Sequence, residues 1–200
     1  MKRTLAFAAS LLLLGACSSD GYTIRGKIAG LDNPYVYLLR YTGEVEVIDS
    51  AKVTKGDFVF KGKAEQPEVV YLSTDKQQPF VHFFLENGRI SVDGALSAPA
   101  DIAVLGTPSN DIQRAFDEQI AALEEEFAKA GNDMQRDSLR KEYSKLMSDA
   151  VEMNRDNIYG VTTFLNNAYA FLSPEEVMEQ IALFPAEWQQ RRELTELREA

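Results

Sequence analysis

The sequence predicts an α+β fold: an N-terminal antiparallel β-sandwich or jelly-roll-like domain over residues 22–106, followed by a helical extension over residues 107–200. Two observations lead to this prediction. Between Tyr22 and Leu105, short runs of β-branched and aromatic residues alternate with turn residues. After Ser109 glycines and β-branched residues become sparse, and apolar residues recur at helical spacing. The chain therefore divides into a β-rich part and a part made of a helical hairpin and short helices.

The β-rich part is expected to contain about eight short strands. They are predicted at residues 22–28, 35–41, 45–48, 58–60, 69–72, 81–85, 90–92 and 102–105. Lys55-Gly56 is typical of a hairpin turn before the fourth strand, and Asn87-Gly88 predicts a type I′ hairpin between the sixth and seventh. Because no helical pattern interrupts the strands, an antiparallel sandwich or a jelly-roll-like barrel is favoured.

The helical part is expected to begin with a long antiparallel hairpin. Its first helix starts at Thr107-Pro108-Ser109, where a capping hydroxyl and an early proline coincide, and stops at Gly131-Asn132. The second helix is predicted over residues 134–157. The predicted buried stripes are Ile112, Phe116, Leu123 and Phe127 on the first helix, and Leu139, Tyr143, Leu146, Ala150 and Val151 on the second.

Shorter helices are expected to complete the chain. One follows Tyr159-Gly160 and includes Phe164. The segment Ser173-Pro174-Glu175-Glu176 is typical of a capping box with proline at the first helical position, and Pro185 is expected to end the helix that it starts. A last helix bears Trp188, Leu194 and Leu197.

Residues 1–16 have the pattern of a bacterial lipoprotein signal peptide. The basic start Met1-Lys2-Arg3 precedes an uncharged apolar run over residues 5–14, and small residues then lead to Cys17. A membrane-spanning helix needs roughly 20 apolar residues, so this run is too short to be one. We expect cleavage before Cys17, acylation of Cys17 with chains such as palmitate, and a spacer up to residue 21. The protein is then exported and lipid-anchored in the envelope of a Gram-negative bacterium, on a periplasmic or surface face.

The composition excludes several kinds of chemistry. Cys17 is the only cysteine, so its acylation leaves no thiol for a disulfide, a Cys-x-x-Cys redox cycle or a thiolate zinc site. His82 is the only histidine, which makes a His-based metal site improbable. Acidic residues number 31 against 21 basic ones, a balance that disfavours binding to nucleic-acid phosphates. We expect no metal, no cofactor and no catalytic residues, and hence no enzymatic activity in this chain.

The candidate ligand-binding residues are Tyr35, Tyr37 and Tyr41. They share one face of the second predicted strand with Leu39, and such an aromatic stripe is suited to stacking on sugar rings or holding a peptide. The alternative is that these rings pack in the sandwich or under the helical hairpin. His82 lies in a strand with apolar residues on both faces and is expected to be structural or partly buried, with its ring nitrogens hydrogen-bonded locally. The charged runs 124–126 and 135–142 are expected to be solvated helix surface.

A series of strand-and-turn motifs runs from Gly26 to Asn110. The motifs are Gly26-x-Ile28-x-Gly30-Leu31, Val36-x-Leu38, Asp49-Ser50-Ala51-x-Val53, Gly56-x-Phe58-x-Phe60-x-Gly62, Phe84-Leu85-Glu86-x-Gly88, and Val104-x-Gly106-Thr107 followed by Asn110. In this order they resemble the family called domain of unknown function 4369. Later, Asn157-x-Tyr159-Gly160 and the predicted capping box at residues 173–176 are similar to the helical segment that follows this domain in the same proteins.

The resemblance implies a sandwich with helices, a location in the cell envelope and an accessory or binding role. In that family the module usually precedes a thioredoxin-like domain with a Cys-x-x-Cys site, which this sequence does not contain. Redox activity is therefore not transferred. The leading expectation is a non-catalytic, lipid-anchored module that binds a ligand or an envelope protein. Two alternatives remain: an N-terminal accessory part of a thioredoxin-like thiol-disulfide oxidoreductase, paired with a thioredoxin-like partner, and capture of carbohydrate or peptide at the cell surface.

Overall fold

The computed structural model describes residues 20–168 and 172–199 of the chain. The predicted signal peptide and Cys17 lie outside these residues. The described part confirms the α+β prediction, because eight strands form two four-stranded sheets and six α-helices follow them. None of the described helices is both long enough and apolar enough to span a membrane.

The two sheets pack face to face as a sandwich. The strands are β1 (Tyr22–Ala29), β2 (Tyr35–Tyr41), β3 (Val45–Lys52), β4 (Asp57–Gly62), β5 (Glu68–Ser73), β6 (Pro79–Leu85), β7 (Gly88–Ala95) and β8 (Ala103–Leu105). The first sheet has the order β4-β1-β7-β8 and the second the order β3-β2-β5-β6. All neighbouring strands are antiparallel except β1 and β7, which run parallel.

The core between the sheets follows from the alternation of side chains along each strand. In β1, Ile24 and Ile28 point inward and are fully buried, whereas the residues between them are exposed or lack a side chain. Gly26 occupies the inward position between Ile24 and Ile28. Only glycine fits there, because the Phe58 ring fills the space of a side chain: a Cβ atom on residue 26 would be 1.9 Å from that ring. Val36, Leu38 and similar apolar residues of the second sheet complete the core.

The predicted hairpin at Asn87-Gly88 is wrong. β6 and β7 belong to different sheets, and β7 pairs in parallel with β1 instead. Phe83 of β6 and Ile90 of β7 both point into the core, but from opposite sheets. The chain therefore crosses from the second sheet to the first between these two residues. The Asn87 side chain is used elsewhere: its amide exchanges two hydrogen bonds with the backbone of Ala64, at 2.9 and 2.8 Å.

The turn predicted at Lys55-Gly56 is present, but it does not join two strands of one sheet. Lys55 and Gly56 both have left-handed backbone conformations, with φ of 54° and 85°, and the backbones of Thr54 and Asp57 exchange hydrogen bonds of 2.9 and 3.1 Å across them. β3 then lies in the second sheet and β4 in the first. The turn therefore carries the chain between the sheets.

The helices are α1 (Pro108–Lys129), α2 (Asp133–Met153), α3 (Ile158–Thr163), α4 (Pro174–Ala182), α5 (Ala186–Gln189) and α6 (Arg192–Glu199), with a π-helical turn (Phe164–Ala168) after α3. The predicted capping box of α4 is confirmed, with Ser173 and Glu176 each bonded to the other's backbone N–H. The second helix ends at Met153 rather than at residue 157, because Asn157 serves as the N-cap of α3. The predicted last helix is two helices, separated at residues 190–191.

The helices pack on the outer face of the second sheet through a small apolar cluster. Phe84 of β6 meets Ala150 of α2 and Ile158 and Tyr159 of α3 in this cluster, and Phe116 of α1 packs against it. The stripes predicted for the hairpin are only partly buried: Ala150 and Val151 are buried, but Phe127 and Tyr143 remain 39% and 38% exposed. The far half of the hairpin therefore projects beyond the sandwich without burying its apolar residues.

Candidate functional site

A cleft of about 1000 Å³ separates the outer face of the second sheet from the helices. Tyr41, Tyr71 and His82 line it on the sheet side. Phe116 of α1 and Tyr159 of α3 line it on the helix side, and residues 190–193 close one end. The cleft is thus built from distant parts of the chain, which only the docking of the helices brings together.

The N-terminus of α1 is fixed to the sheet by buried polar contacts. The Asn110 side chain accepts a hydrogen bond from the Phe84 N–H at 3.0 Å and donates one to the Phe84 carbonyl at 2.8 Å. The Ser109 backbone N–H and hydroxyl both donate to the carboxylate of Glu86, at 3.1 and 2.7 Å. These bonds hold the helix wall of the cleft at a fixed distance from β6.

Three aromatic rings form a row on the sheet wall. The Tyr41 and Tyr71 rings are edge to face, with centroids 4.7 Å apart and planes at 80°. The His82 ring follows, with its centroid 6.0 Å from that of Tyr71, because Tyr71 and His82 are cross-strand partners in the β5–β6 pair. Burial, and to a smaller extent the neighbouring Tyr41, raises the pKa of the Tyr71 hydroxyl. Tyr71 was not singled out in the sequence, although its alternation with Val70 and Leu72 in β5 would have placed it on this face.

The three predicted tyrosines do not act as one stripe. Tyr41 lines the cleft. Tyr37 is covered by Lys76, whose ammonium nitrogen lies 4.6 Å from the ring centroid. Tyr35 is 47% exposed and lies outside the cleft. Leu39, which lies between Tyr37 and Tyr41 in the strand, is fully buried. The ligand-binding role of Tyr35, Tyr37 and Tyr41 stays a prediction, and geometry places only Tyr41 at the cleft.

The expectation that His82 is partly buried is wrong. Its strand neighbours Phe83 and Phe84 are buried on opposite faces of the sheet, but His82 itself is exposed at the cleft. The helices cover the end of β6 at Phe84, but they leave His82, two residues earlier in the same strand, open to solvent. The carboxylate of Asp117 on α1 lies near enough to interact electrostatically with His82 and with Tyr159.

Tyr159 places a buried hydroxyl at the cleft. The residue is 1% exposed, and its ring contacts those of Phe84 and Phe116 edge to face, with centroids 6.2 and 5.9 Å away. The hydroxyl makes no hydrogen bond of good geometry within the described residues, but the Thr163 side chain lies close enough to act as a weak hydrogen-bond partner. Burial raises the pKa of Tyr159 to about 12; the Thr163 side chain opposes this shift and the charge of Asp117 adds to it. The hydroxyl is therefore a neutral donor throughout the physiological pH range.

Arg191 supplies a second buried donor at the same cleft. Its side chain is 8% exposed and stacks on Trp188, with the guanidinium carbon 5.3 Å from the ring centroid. One terminal nitrogen donates to the Pro67 carbonyl at 2.8 Å, and the other approaches Glu193 at 3.4 Å. The Nε atom has no hydrogen-bond partner within the described residues. An analogous unpaired Nε occurs in Arg155, which does not line the cleft.

A third cation at the cleft, Arg40, is already satisfied. Its guanidinium donates to both carboxylate oxygens of Glu68, at 2.5 and 2.8 Å, and to Glu46 at 3.2 Å. The hydrogen bond to Glu68 is the largest of the causes that raise the pKa of Arg40. This paired geometry braces β2 against β3 and β5 and leaves less donor capacity for a ligand than Arg191 has.

The described residues contain no group of three or more His, Cys, Asp or Glu side chains placed to hold a metal ion. A second cavity, of about 710 Å³, lies between α1 and α2 and is lined mainly by apolar side chains. The two cavities therefore differ in chemistry: the cleft offers aromatic faces and unpaired donors, and the groove in the hairpin offers apolar surface.

Comparison with known families gives one match. Residues 22–113, from β1 to the first turn of α1, match the model of the family described as a domain of unknown function, DUF4369. This confirms the family resemblance drawn from the motifs between Gly26 and Asn110. The similarity of the helical segment at residues 157–160 and 173–176 lies outside the match and stays a prediction. No curated protein matches the chain.

Proposed function

We propose that residues 22–113, which match the DUF4369 family model, and the helices packed on them are a non-catalytic binding module. This module captures a ligand in the cleft between the second sheet and the helices. The module is held at the cell envelope through acylated Cys17. The anchoring rests on the sequence pattern of residues 1–17.

The observation that carries the proposal is the pair of unpaired donors at the cleft. A buried polar group without a partner is destabilising by about 1–3 kcal/mol, so folded proteins keep few of them. The Arg191 Nε is buried and unpaired. The Tyr159 hydroxyl is buried and has no partner of good geometry, only a weak interaction with the Thr163 side chain. Both residues line the same cavity. A ligand that brings acceptor oxygens would satisfy both groups once the side chains around them move, since neither atom is open to solvent in the free protein.

The other residues of the cleft narrow the class of ligand. Both groups can donate a hydrogen bond, so the ligand supplies acceptor oxygens, which carbonyl, carboxylate and hydroxyl groups all have. Beside them lie the apolar faces of Phe116 and Val69 and the row formed by Tyr41, Tyr71 and His82. A peptide segment combines backbone carbonyls with apolar side chains, and it fits this lining better than a sugar does, since Tyr41 and Tyr71 stand edge to face rather than as one flat platform.

Thermal stabilisation of the full chain by ligands tests this proposal. We would compare a library of capped tetrapeptides, with and without acidic residues, against a set of neutral oligosaccharides. The variant Tyr159→Phe removes only the hydroxyl, and Tyr35→Phe is its matched control outside the cleft. We expect peptides to raise Tm and Tyr159→Phe to weaken peptide binding about tenfold, the effect of one buried hydrogen bond of about 1.4 kcal/mol.

The outcomes separate the alternatives. Stabilisation by oligosaccharides and not by peptides would assign the cleft to carbohydrate. Equal binding by Tyr159→Phe and Tyr35→Phe would show that the ligand does not use the buried hydroxyl. The absence of any stabilisation across both libraries would argue against the cleft as a binding site.

A further inference from the structure

The hairpin of α1 and α2 carries an apolar groove that is separate from the cleft. Leu123 and Phe127 of α1 form one side, and Leu139, Tyr143 and Met147 of α2 form the other. The buried residues Val151 and Phe164 lie at its inner end. The groove has a volume of about 710 Å³, and Phe127 and Tyr143 are each more than one-third exposed.

Packing of α1 against α2 does not bury the apolar residues along these two helices. No side chain from residue 111 to residue 146 is buried. Helices in proteins are stabilised mainly by burying an apolar face rather than by intrinsic helix propensity. Leu123, Phe127, Leu139 and Tyr143 form such a face, and the described residues of this chain do not cover it. An apolar face of this kind is typical of a surface that another protein chain covers.

The charges beside the groove show which occupant fits. Residues 118–129 contain four glutamates and one lysine, and residues 136–145 contain four basic and two acidic residues. Every ion pair of the hairpin joins residues within a single helix. The acidic side of α1 and the basic side of α2 are thus not paired with each other within these two helices. Glu124 lines the groove from α1 and Arg140 from α2. Within the chain, Arg140 pairs with Asp137 at 2.6 Å, and its guanidinium carbon lies 5.7 Å from the centroid of the Phe127 ring.

We propose that a second copy of this chain covers the groove. The two hairpins pack across a twofold axis as a four-helix bundle, with α1 of each copy against α2 of the other. This arrangement buries Phe127 and Tyr143 of both copies and brings the Glu124 side of each groove to the Arg140 side of its partner. Each groove carries both an acidic residue, Glu124, and a basic residue, Arg140. The surface is therefore complementary to a copy of itself, as a twofold interface requires.

Site-specific photocrosslinking in intact cells tests the contact in the protein as it exists. A benzophenone amino acid replaces Phe127 in the groove, and in the control it replaces Met153, which is 79% exposed on α2 and does not line the groove. We expect a crosslinked product of twice the mass that contains this chain only, formed from position 127 and not from 153. Crosslinking of position 127 to another protein or to lipid, or to nothing, would overturn the proposal.

Charge exchange provides a second and independent test. Glu124→Arg alone and Arg140→Glu alone each place like charges opposite each other in the dimer, whereas the double variant restores the pairing in reverse. We expect each single variant to raise the dimer dissociation constant about tenfold and the double variant to recover most of this loss, measured by sedimentation equilibrium of the full chain in density-matched detergent. Helical content from circular dichroism has to stay unchanged. A double variant as weak as the single ones, or monomers throughout, would contradict the interface.

Discussion

Asn110 pairs with Phe84 in the way that a neighbouring β-strand would. Its side-chain amide accepts from the Phe84 N–H and donates to the Phe84 carbonyl, and its second amide hydrogen goes to the Thr107 hydroxyl at 2.7 Å. Asn87 pairs with the backbone of Ala64 by the same two-bond pattern. The side-chain amide of Asn110 therefore completes the β6 edge at Phe84 and fixes α1 to it.

Replacing Asn110 should destabilise the whole molecule. Asn110→Ala leaves the N–H and carbonyl of Phe84 without their partners in a buried place, and it leaves space where the amide was. Since each unsatisfied buried group destabilises by about 1–3 kcal/mol, we expect a loss of about 3 kcal/mol in the free energy of unfolding, measured with urea.

The control for this change is Asn33→Ala, in an exposed loop between β1 and β2. It should alter the free energy of unfolding by less than about 0.5 kcal/mol. If both variants lost a similar amount of unfolding free energy, the hydrogen bonds between Asn110 and Phe84 would not contribute specifically to stability.

The turn between β5 and β6 should make stability depend on acid pH. The Asp75 carboxylate accepts hydrogen bonds from the backbone N–H groups of Gln78 and Gln77, both at 2.8 Å, and from the Ser73 hydroxyl at 2.9 Å. These bonds hold the pKa of Asp75 below its ordinary value. A carboxyl group with a lowered pKa in the folded state stabilises the fold above its unfolded pKa of about 3.9, and this contribution is lost as the pH falls through the folded pKa.

Asp75→Asn removes this contribution. We expect the variant to have a lower Tm than the wild type at pH 7, and the difference to shrink steadily as the pH is lowered below about 4. Asp32→Asn, which also removes one exposed carboxylate but no such set of turn bonds, is the control. A difference between Asp75→Asn and wild type that stays constant from pH 7 to pH 2 would refute the role of the charge.

Tyr159 should limit stability at alkaline pH. Its folded pKa of about 12 lies above the ordinary value of 10.0. Because the folded state holds this proton more tightly than the unfolded state, the stabilisation is complete below pH 10 and is lost as the pH rises from about 10 to about 12. Tyr71 and Tyr22 are shifted in the same direction, mainly by burial, and add to the effect.

Tyr159→Phe separates this contribution from the others. At pH 7 the variant should be about as stable as the wild type, since the buried hydroxyl that it lacks makes only a weak interaction, with the Thr163 side chain. Above pH 10 it should lose less stability than the wild type, by up to about 2 kcal/mol near pH 12, measured by urea unfolding across pH. A clear destabilisation at pH 7 would mean that the hydroxyl is hydrogen-bonded in the free protein, and the argument for the cleft would weaken with it.

Local chemistry in the sequence predicted most of the elements. The capping box at Ser173, the proline start of α1 and the stop of α1 before Gly131-Asn132 act within a few residues, and the structure contains all three. The alternation of inward residues along β1 also follows from the sequence alone. These features depend on neighbours along the chain, so a single sequence is enough to find them.

Partners distant in sequence were harder to predict. Asn87-Gly88 has the composition of a hairpin turn, but the two strands beside it enter the core from opposite sheets. Arg191 reaches the cleft because the chain between α5 and α6 packs against the sheet part. No spacing in the sequence relates Arg191 to Pro67, its partner 124 residues away. The exposure of His82 likewise depends on where α1 and α3 leave the sheet uncovered.

Gly160 should prove essential for the position of Tyr159. It lies in the first turn of α3, where its N–H donates to Asn157, and a Cβ atom at this position would be 1.9 Å from the carbonyl oxygen of Asn154. The chain between α2 and α3 would have to move to admit even a methyl group. We expect Gly160→Ala to lower the free energy of unfolding by about 1–3 kcal/mol, which is typical of overpacking.

The matched control is Gly131→Ala, at the turn between α1 and α2. A Cβ atom there would be 3.6 Å from the nearest atom, the side-chain oxygen of Gln135, so this substitution should change stability by less than about 0.5 kcal/mol. Gly160→Ala should also displace Tyr159 from the cleft and so weaken ligand capture in the tetrapeptide assay, whereas Gly131→Ala should leave it intact. If both alanine variants unfold at the same urea concentration as the wild type, the close contact with Asn154 does not constrain α3.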